Sequence, residues 1–597
     1  VKNLAGHTKP AADPEAERLL LERRTQAQSL LISLATDAGS FKDQRVRART
    51  QARIADALWE SDNDRARTLF RKAWDAAELA DAEGQQKMQE EAREQQAKSG
   101  GGGYVVASPP EVRKEVLSLA VKRDPALGEE LLGRQMEKER EAAGQNERNP
   151  SRAKDAAEAQ RLGIARQLLA DGDMERALQF ASPVLNNISA QTIDFLSFLR
   201  EKNVPAADDR YASLLSLAVA NPQSTANTVS LLSSYLFTPH LYVTFVGSGG
   251  ASSWQMGPNP GPIDVAPSLR AAFFRSANEI LMRPIAPGQD QTTANVAIKY
   301  YVIKRLLPLY DQFAGVELTA GVRAQYEALA AMTSESQRPS QEEPVREGIK
   351  GQKPGPDREQ ALRDRIDRAK TSAERDQLYL QLSMMRAGAG DLVARDYADK
   401  IDDSEMRHAV RAYIDASLAM AAIRKKDAER ALEIVRTGEL THLQKVWTMT
   451  QAARLLMSGK PDRERALQVL DDATAEARRM DGSDPDRPRG FLAVTNALLA
   501  IDTSRGWDLM SDTVKAANSA PEFTGEDGEL TFRMVTKSSR SIDQHSTPEF
   551  DLAGVFQTLA NADFDRAVEL ARVFEREAPR ANAVMAIALT VLNEKKN

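Results

Sequence analysis

A chain of 597 residues is longer than one compact domain and implies either several domains or one extended array. Its 80 basic and 86 acidic residues nearly cancel, to a formal charge of −6, which supplies no field to hold nucleic acid. The absence of cysteine excludes disulfides, thiolate metal sites and a cysteine nucleophile, and no apolar run approaches a membrane span, so no integral membrane segment is expected.

The sequence starts at Val1, and residues 1–12 are too polar for a signal peptide. The preferred reading is a periplasmic or secreted protein after removal of a targeting segment, with a cytoplasmic location as the alternative. Residues 14–35 and 44–59 then read as amphipathic helices. They lead into a short motif that recurs along the chain: an Asp, an Arg three residues later, a small residue four later, and an apolar stripe at +3, +4 and +7 from the small residue. Its first copy is Asp62, Arg65, Ala66, with Leu69, Phe70 and Ala73. Ile54 and Leu58 stand 12 and 8 residues before the small residue, on the preceding helix.

A flexible break is expected at Gly100 to Gly103. The second copy, Asp124 and Gly128, has Leu127 in place of the Arg. The third is complete at Asp173, Arg176 and Ala177, and a weaker one without the Arg follows at Asp208 and Ala212. Residues 240–246 (HLYVTFV) then alternate β-favouring side chains before a Gly/Ser turn at 247–250 and a Pro/Gly run at 257–262. Helices resume after Pro267, with one kinked or ended at Pro308 and a last one at 322–332.

Residues 333–358 hold four prolines, three glycines, five acidic and five basic residues, against only Val345 and Ile349 as apolar side chains, which predicts a mobile connector. A shortened copy at Asp391 and Ala394 precedes three regular ones at Asp427-Arg430-Ala431, Asp462-Arg465-Ala466 and Asp502-Arg505-Gly506. The pattern lapses between 519 and 550, with an extended piece expected at 530–535. It returns at Asp563-Arg566-Ala567, and residues 583–592 supply an apolar helix suited to capping the array.

Each Asp suits a helix N-cap, where its carboxylate accepts orphan backbone N–H groups and meets the positive end of the dipole. Each small residue lets two helices approach. The expected fold is therefore all-α: an α-solenoid of irregular helix-turn-helix repeats in two lobes, 1–332 and 359–597, joined by the linker 333–358, with a small β/loop insertion near 240–262, within about 238–266. The segment Gly172-Asp173-Met174-Glu175-Arg176-Ala177 resembles the tetratricopeptide-like superfamily, in which a Gly/Asp turn is followed four residues later by an Ala in the second helix. The superfamily's Trp-Leu-Gly-Tyr pattern in the first helix is absent. The resemblance implies protein or peptide binding and transfers no particular residue. For the recurrent Arg the preferred reading is a structural ladder to neighbouring carbonyls or carboxylates, the alternative a line of cationic hooks for an acidic partner.

No catalytic, metal or cofactor residues are expected. The five histidines, His7, His240, His408, His442 and His545, are scattered without metal-ligand spacing. Gly247 to Gly250 lacks the rest of a nucleotide-binding loop, and Asp481, Asp484 and Asp486 are interrupted by Pro485, against a calcium loop. The candidate interaction residues are Tyr242, Phe245, Trp254 and Met256, aromatic and soft side chains gathered in a non-repeating stretch of a chain with only 6% aromatics. The competing reading is that this strand pair plugs the end of the N-terminal array or covers an apolar face between lobes. The expected function is a non-enzymatic scaffold for a protein or peptide partner. The alternatives are a self-assembling envelope or extracellular component and, more distantly, an enzyme of unrecognised type.

Overall fold

In the computed structural model, residues 14–99, 111–144, 150–246, 251–257, 263–284, 293–332, 345, 347–349, 358–459, 461–526, 528–536 and 540–593 are described. They form a helical-repeat fold. Two antiparallel strand pairs are the exceptions among them: β1 (Leu241–Phe245) with β2 (Ala251–Gln255), and β3 (Glu529–Val535) with β4 (Arg540–Ser546).

The recurring Asp is a helix cap in seven copies of the motif. In six of them its carboxylate accepts the backbone N–H of the motif's own Arg: Arg65 donates to Asp62 at 3.1 Å, Arg176 to Asp173 at 3.2 Å, Arg430 to Asp427 at 3.0 Å, Arg465 to Asp462 at 3.1 Å, Arg505 to Asp502 at 3.3 Å and Arg566 to Asp563 at 3.1 Å. Asp124 accepts likewise from Ala126 and Leu127. The weaker copy differs: helix Val204–Ala220 starts earlier and is capped by Asn203, so Asp208 lies inside it and serves another purpose described below. The small residues are buried because the paired helices touch there. Ala66, Ala177, Ala431, Ala466 and Ala567 are fully covered, and a Cβ on Gly506 would come within 2.7 Å of the Leu499 side chain.

Four of the six recurrent Arg side chains reach back to the preceding repeat, whereas Arg65 pairs with its own Asp62 at 3.5 Å. Arg465 pairs with Glu429 at 2.6 Å and Arg505 with Asp471, each a carboxylate one repeat earlier, while Arg566 lies over the Trp507 ring of the preceding repeat at 4.2 Å. Arg176 donates to the Lys122 carbonyl. These cations sit at the N-terminal end of their helices, against the dipole, and each draws its compensation from the neighbouring repeat.

The chain divides into two units, 1–116 with 355–597, and 117–354. This departs from the expected lobes 1–332 and 359–597. One cut does fall within the expected connector, but the other falls inside helix Val112–Arg123. In the first unit, the helix pairs His442–Leu456 with Arg463–Arg478, Asp486–Ile501 with Thr503–Ser519, and Leu552–Ala562 with Phe564–Arg572 lead to Glu577–Leu592. That last helix is not a cap, as its sequence suggested. Ala583, Met585, Ile587, Ala588 and Val591 are all buried, because Pro14–Ala38 and Gln44–Leu58 pack on its far side and Asn63–Ser99 continues the array. Polar contacts fasten this join. Arg49 donates to Glu526 at 2.9 Å, Arg53 reaches Glu526 and Asn582, and the Lys42 N–H donates to Glu577 at 3.2 Å. Strand β3, anticipated at 530–535, buries Leu530, Phe532 and Met534 against helix Ser404–Arg424; its polar partner β4 was not anticipated.

The second unit contains helices from Pro125–Gly144 to Val316–Met332 and the pair β1–β2. Helix Thr293–Phe313 runs through Pro308 rather than ending there. An aromatic core of Phe237, Phe273, Phe274, Phe313 and Tyr310 fills the space between helices Ala226–Phe237, Pro267–Met282 and Thr293–Phe313. The break at Gly100 to Gly103, the turn at 247–250, residues 258–262 of the Pro/Gly run and most of the expected connector 333–358 lie outside the described residues. Within the connector Val345 is buried, and the buried Arg305 donates to the carbonyls of Val345 at 3.2 Å and Glu347 at 2.8 Å, so this part is anchored rather than loose.

Candidate functional site

The second unit brings the four expected interaction residues together on the strand pair. Tyr242 stands opposite Trp254, ring centroids 6.1 Å apart, and Phe245 stacks on Tyr301 at 5.8 Å. The Met256 N–H donates to the His240 carbonyl at 2.8 Å and so closes the base of the pair. Tyr242 and Phe245 are buried, whereas Trp254 is 36% exposed. Strand β1 packs on helices Ala226–Phe237 and Thr293–Phe313 of its own unit.

Beneath the pair lies a buried polar cluster. Helix Ala190–Lys202 carries Asp194, Phe198 and Glu201 at helical spacing, and helix Pro150–Ala170 supplies Arg166. The Asp194 carboxylate accepts from His240 Nδ1 at 2.8 Å, from the Tyr242 hydroxyl at 3.1 Å and from Arg166 Nη1 at 3.1 Å. His240 Nε2 faces Glu201 at 3.5 Å, and the ring lies 4.6 Å from Phe198, over whose ring the Arg166 guanidinium also sits at 4.6 Å. Burial, reinforced by the neighbouring carboxylate, pushes the Tyr242 phenol well above its ordinary range, so it stays a neutral donor.

The backbone at His240 explains why this cluster is needed. Its φ is +64°, a left-handed conformation that costs a non-glycine residue energy, and it turns the chain from Pro239 into β1. Gly257 approaches so closely that a Cβ there would sit 3.2 Å from the imidazole ring. The Asp194 bond, the Phe198 contact and the Gly257 approach hold the ring where that turn puts it. An Asp–His pair is the material of acid–base chemistry, yet here both ring nitrogens and the Tyr242 hydroxyl face other side chains of the protein. A second cluster stands beside the first: Asp208 accepts from the Tyr235 hydroxyl at 2.6 Å and from Arg200 Nε at 3.0 Å, with Tyr211 stacked on Tyr235 at 4.2 Å.

In the sequence His240 stands as one more isolated histidine. Asp194 is 46 residues away on another helix, and no spacing rule connects them. The one available signal was the Pro239-His240 junction immediately before a β-type run, where a strained turn needs support. Among the described residues no group of three or more His, Cys, Asp or Glu is arranged to hold a metal ion, and no helix is long and apolar enough to cross a membrane.

No family model matches the chain, and no curated protein matches it. A solved structure described as a "Circular tandem repeat protein with novel repeat topology and enhanced subunit contact surfaces" aligns over 95% of this chain and 97% of its own, at 13% identity and a TM-score of 0.12. Superposition at that level carries no argument about fold or function.

Proposed function

We propose that the protein is a non-enzymatic helical-repeat scaffold, of tetratricopeptide-like organisation, that binds a protein or peptide partner. The observation that carries this reading is Trp254: of the five tryptophans it is the most exposed, and it stands on a strand pair whose other strand is buried and braced by Asp194, His240 and Tyr242. An accessible tryptophan is the kind of side chain that dominates recognition surfaces. The reading is also supported by where the charged groups go. The recurrent Asp residues cap helices, four of the recurrent Arg residues tie one repeat to the last, and the Asp–His cluster is bonded inward.

The test is selection of random peptides against the immobilised full chain, followed by binding measurements on Trp254→Ala. Enriched peptides whose affinity falls at least tenfold in the variant support the reading. No enrichment above a blank surface overturns it.

A further inference from the structure

The hydrogen-bond register of the strand pair shows which backbone groups are spoken for. The Met256 N–H bonds the His240 carbonyl, so with Leu241 opposite Gln255 the alternating antiparallel pattern makes Tyr242 with Trp254, and Thr244 with Ser252, the hydrogen-bonded pairs. The N–H and C=O groups of Leu241, Val243 and Phe245 therefore point away from β2, and those of Ala251, Ser253 and Gln255 point away from β1.

The two outer edges are treated differently. On the β1 side every outward residue is met by side chains or turns of the same unit. Thr238 exchanges bonds with Leu241 through its carbonyl at 3.0 Å and its hydroxyl at 3.1 Å, the Ser230 hydroxyl donates to the Val243 carbonyl at 2.6 Å, and the Asn227 amide bonds both the N–H and the C=O of Phe245 at 2.9 Å. Asn227 thus stands in for the peptide group of a neighbouring strand. On the β2 side, the outward backbone groups of Ala251, Ser253 and Gln255 have no partner among the described residues, and Ser252 to Gln255 are exposed.

Proteins commonly protect an idle sheet edge with charged residues or proline. Strand β4 contains Arg540 and Asp543; β2, with the sequence Ala-Ser-Ser-Trp-Gln, contains neither a charge nor a proline. An uncharged edge with three consecutive outward donor–acceptor pairs is complementary to one kind of occupant, another extended backbone.

We propose that β2 takes up an extended segment of a partner polypeptide as a third strand. The segment's peptide groups bond Ala251, Ser253 and Gln255, and its alternate side chains lie beside Trp254. This rests on the scaffold reading and deepens it by naming the binding mode. Backbone bonding gives little sequence discrimination, so the preference comes from the Trp254 face, where β-branched or aromatic side chains pack best.

The experiment uses the full chain and a selected peptide. Ser253→Pro removes an outward N–H and places a ring on the open edge without touching a β1–β2 hydrogen bond, as prolines on edge strands do. It should weaken the peptide at least tenfold. The peptide itself provides a control that does not depend on folding of a variant: N-methylation at successive positions should abolish binding at every second residue and spare those between. In the complex, hydrogen exchange should slow at the Ser253 and Gln255 amides.

Peptides that bind Ser253→Pro equally well and tolerate N-methylation without a two-residue period overturn the strand-addition proposal and leave the scaffold reading standing. Failure to select any peptide overturns both. A dimer in solution that Ser253→Pro dissolves would assign the edge to a second copy of the chain, and also overturns it.

Discussion

Asp194 holds His240 from another helix, its carboxylate 2.8 Å from Nδ1, in the only stretch of the second unit where a non-glycine residue is described with a left-handed backbone. Asp194→Ala removes the acceptor shared by His240, Tyr242 and Arg166 and leaves a buried hydroxyl and imidazole without it. A loss of roughly 3 kcal/mol is expected from the cost of unpaired buried polar groups. Asp194→Asn, which keeps one acceptor oxygen, should lose about half as much. Urea unfolding of the full chain, followed by tryptophan fluorescence, measures both; equal stability of wild type and Asp194→Ala contradicts the account.

Alkaline pH should loosen the second unit. Burial is the leading cause that raises the phenols of Tyr211, Tyr235, Tyr242 and Tyr310 above their ordinary range. In the unfolded chain these groups ionise near pH 10, as free tyrosine does. The folded state keeps its protons longer, so the stability they lend is complete below about pH 10 and declines as pH rises beyond it. The melting temperature should therefore fall as pH rises through about 10 to 11, and tyrosinate absorbance should show a late group of phenols that appears only with unfolding. Titration of all eleven tyrosines at one ordinary pKa in the folded protein is the contrary result.

The repeated caps make a graded prediction. Asp173→Ala, Asp427→Ala and Asp563→Ala should each cost about 1 kcal/mol, with the corresponding Asn variants close to wild type, because the amide oxygen still accepts the N–H. Helix content by circular dichroism should stay unchanged. A cap variant with no effect on the urea midpoint would show that its N–H finds another acceptor.

Gly506 tests the close approach of paired helices. Gly506→Ala places a methyl group within 2.7 Å of Leu499, and overpacking of this kind costs about 1–3 kcal/mol. Leu499→Ala should relieve the clash, so the double variant should be more stable than the sum of the two single losses. Strict additivity would mean that the two side chains do not meet.

The helical elements and their caps were legible in the sequence because they are local: an Asp and an Ala four residues apart report on one helix start, whichever helix packs beside it. The candidate residues Tyr242, Phe245, Trp254 and Met256 were legible as a composition anomaly. What brings them into register was not, since Asp194, Asn227 and Ser230 look like ordinary polar positions on helices and acquire meaning only once β1 lies against them. The same holds for β4, whose Arg-Ser-Ile-Asp-Gln-His-Ser run has little apolar content and is a strand because β3 offers it an edge. The division of the chain into units differs from the expected lobes for a related reason. Prolines and balanced charge mark where packing weakens along the sequence, but nothing local says that residues 14–99 complete a core begun after residue 355.

That arrangement imposes an order of events during synthesis. The backbone of Lys42 bonds Glu577, 535 residues further on, and at ordinary elongation rates a ribosome needs roughly half a minute to two minutes to cover that distance. Throughout that interval the faces of Pro14–Ala38 and Gln44–Leu58 that pack on Glu577–Leu592 lack their partner, and the entire second unit is made while they wait. A nascent chain that stalls before Glu577–Leu592 carries exposed Leu and Ala surface on those two helices, which is the feature that chaperones hold and proteases remove. Burial of Pro14–Ala38 and Gln44–Leu58 is thereby tied to the arrival of Glu577–Leu592.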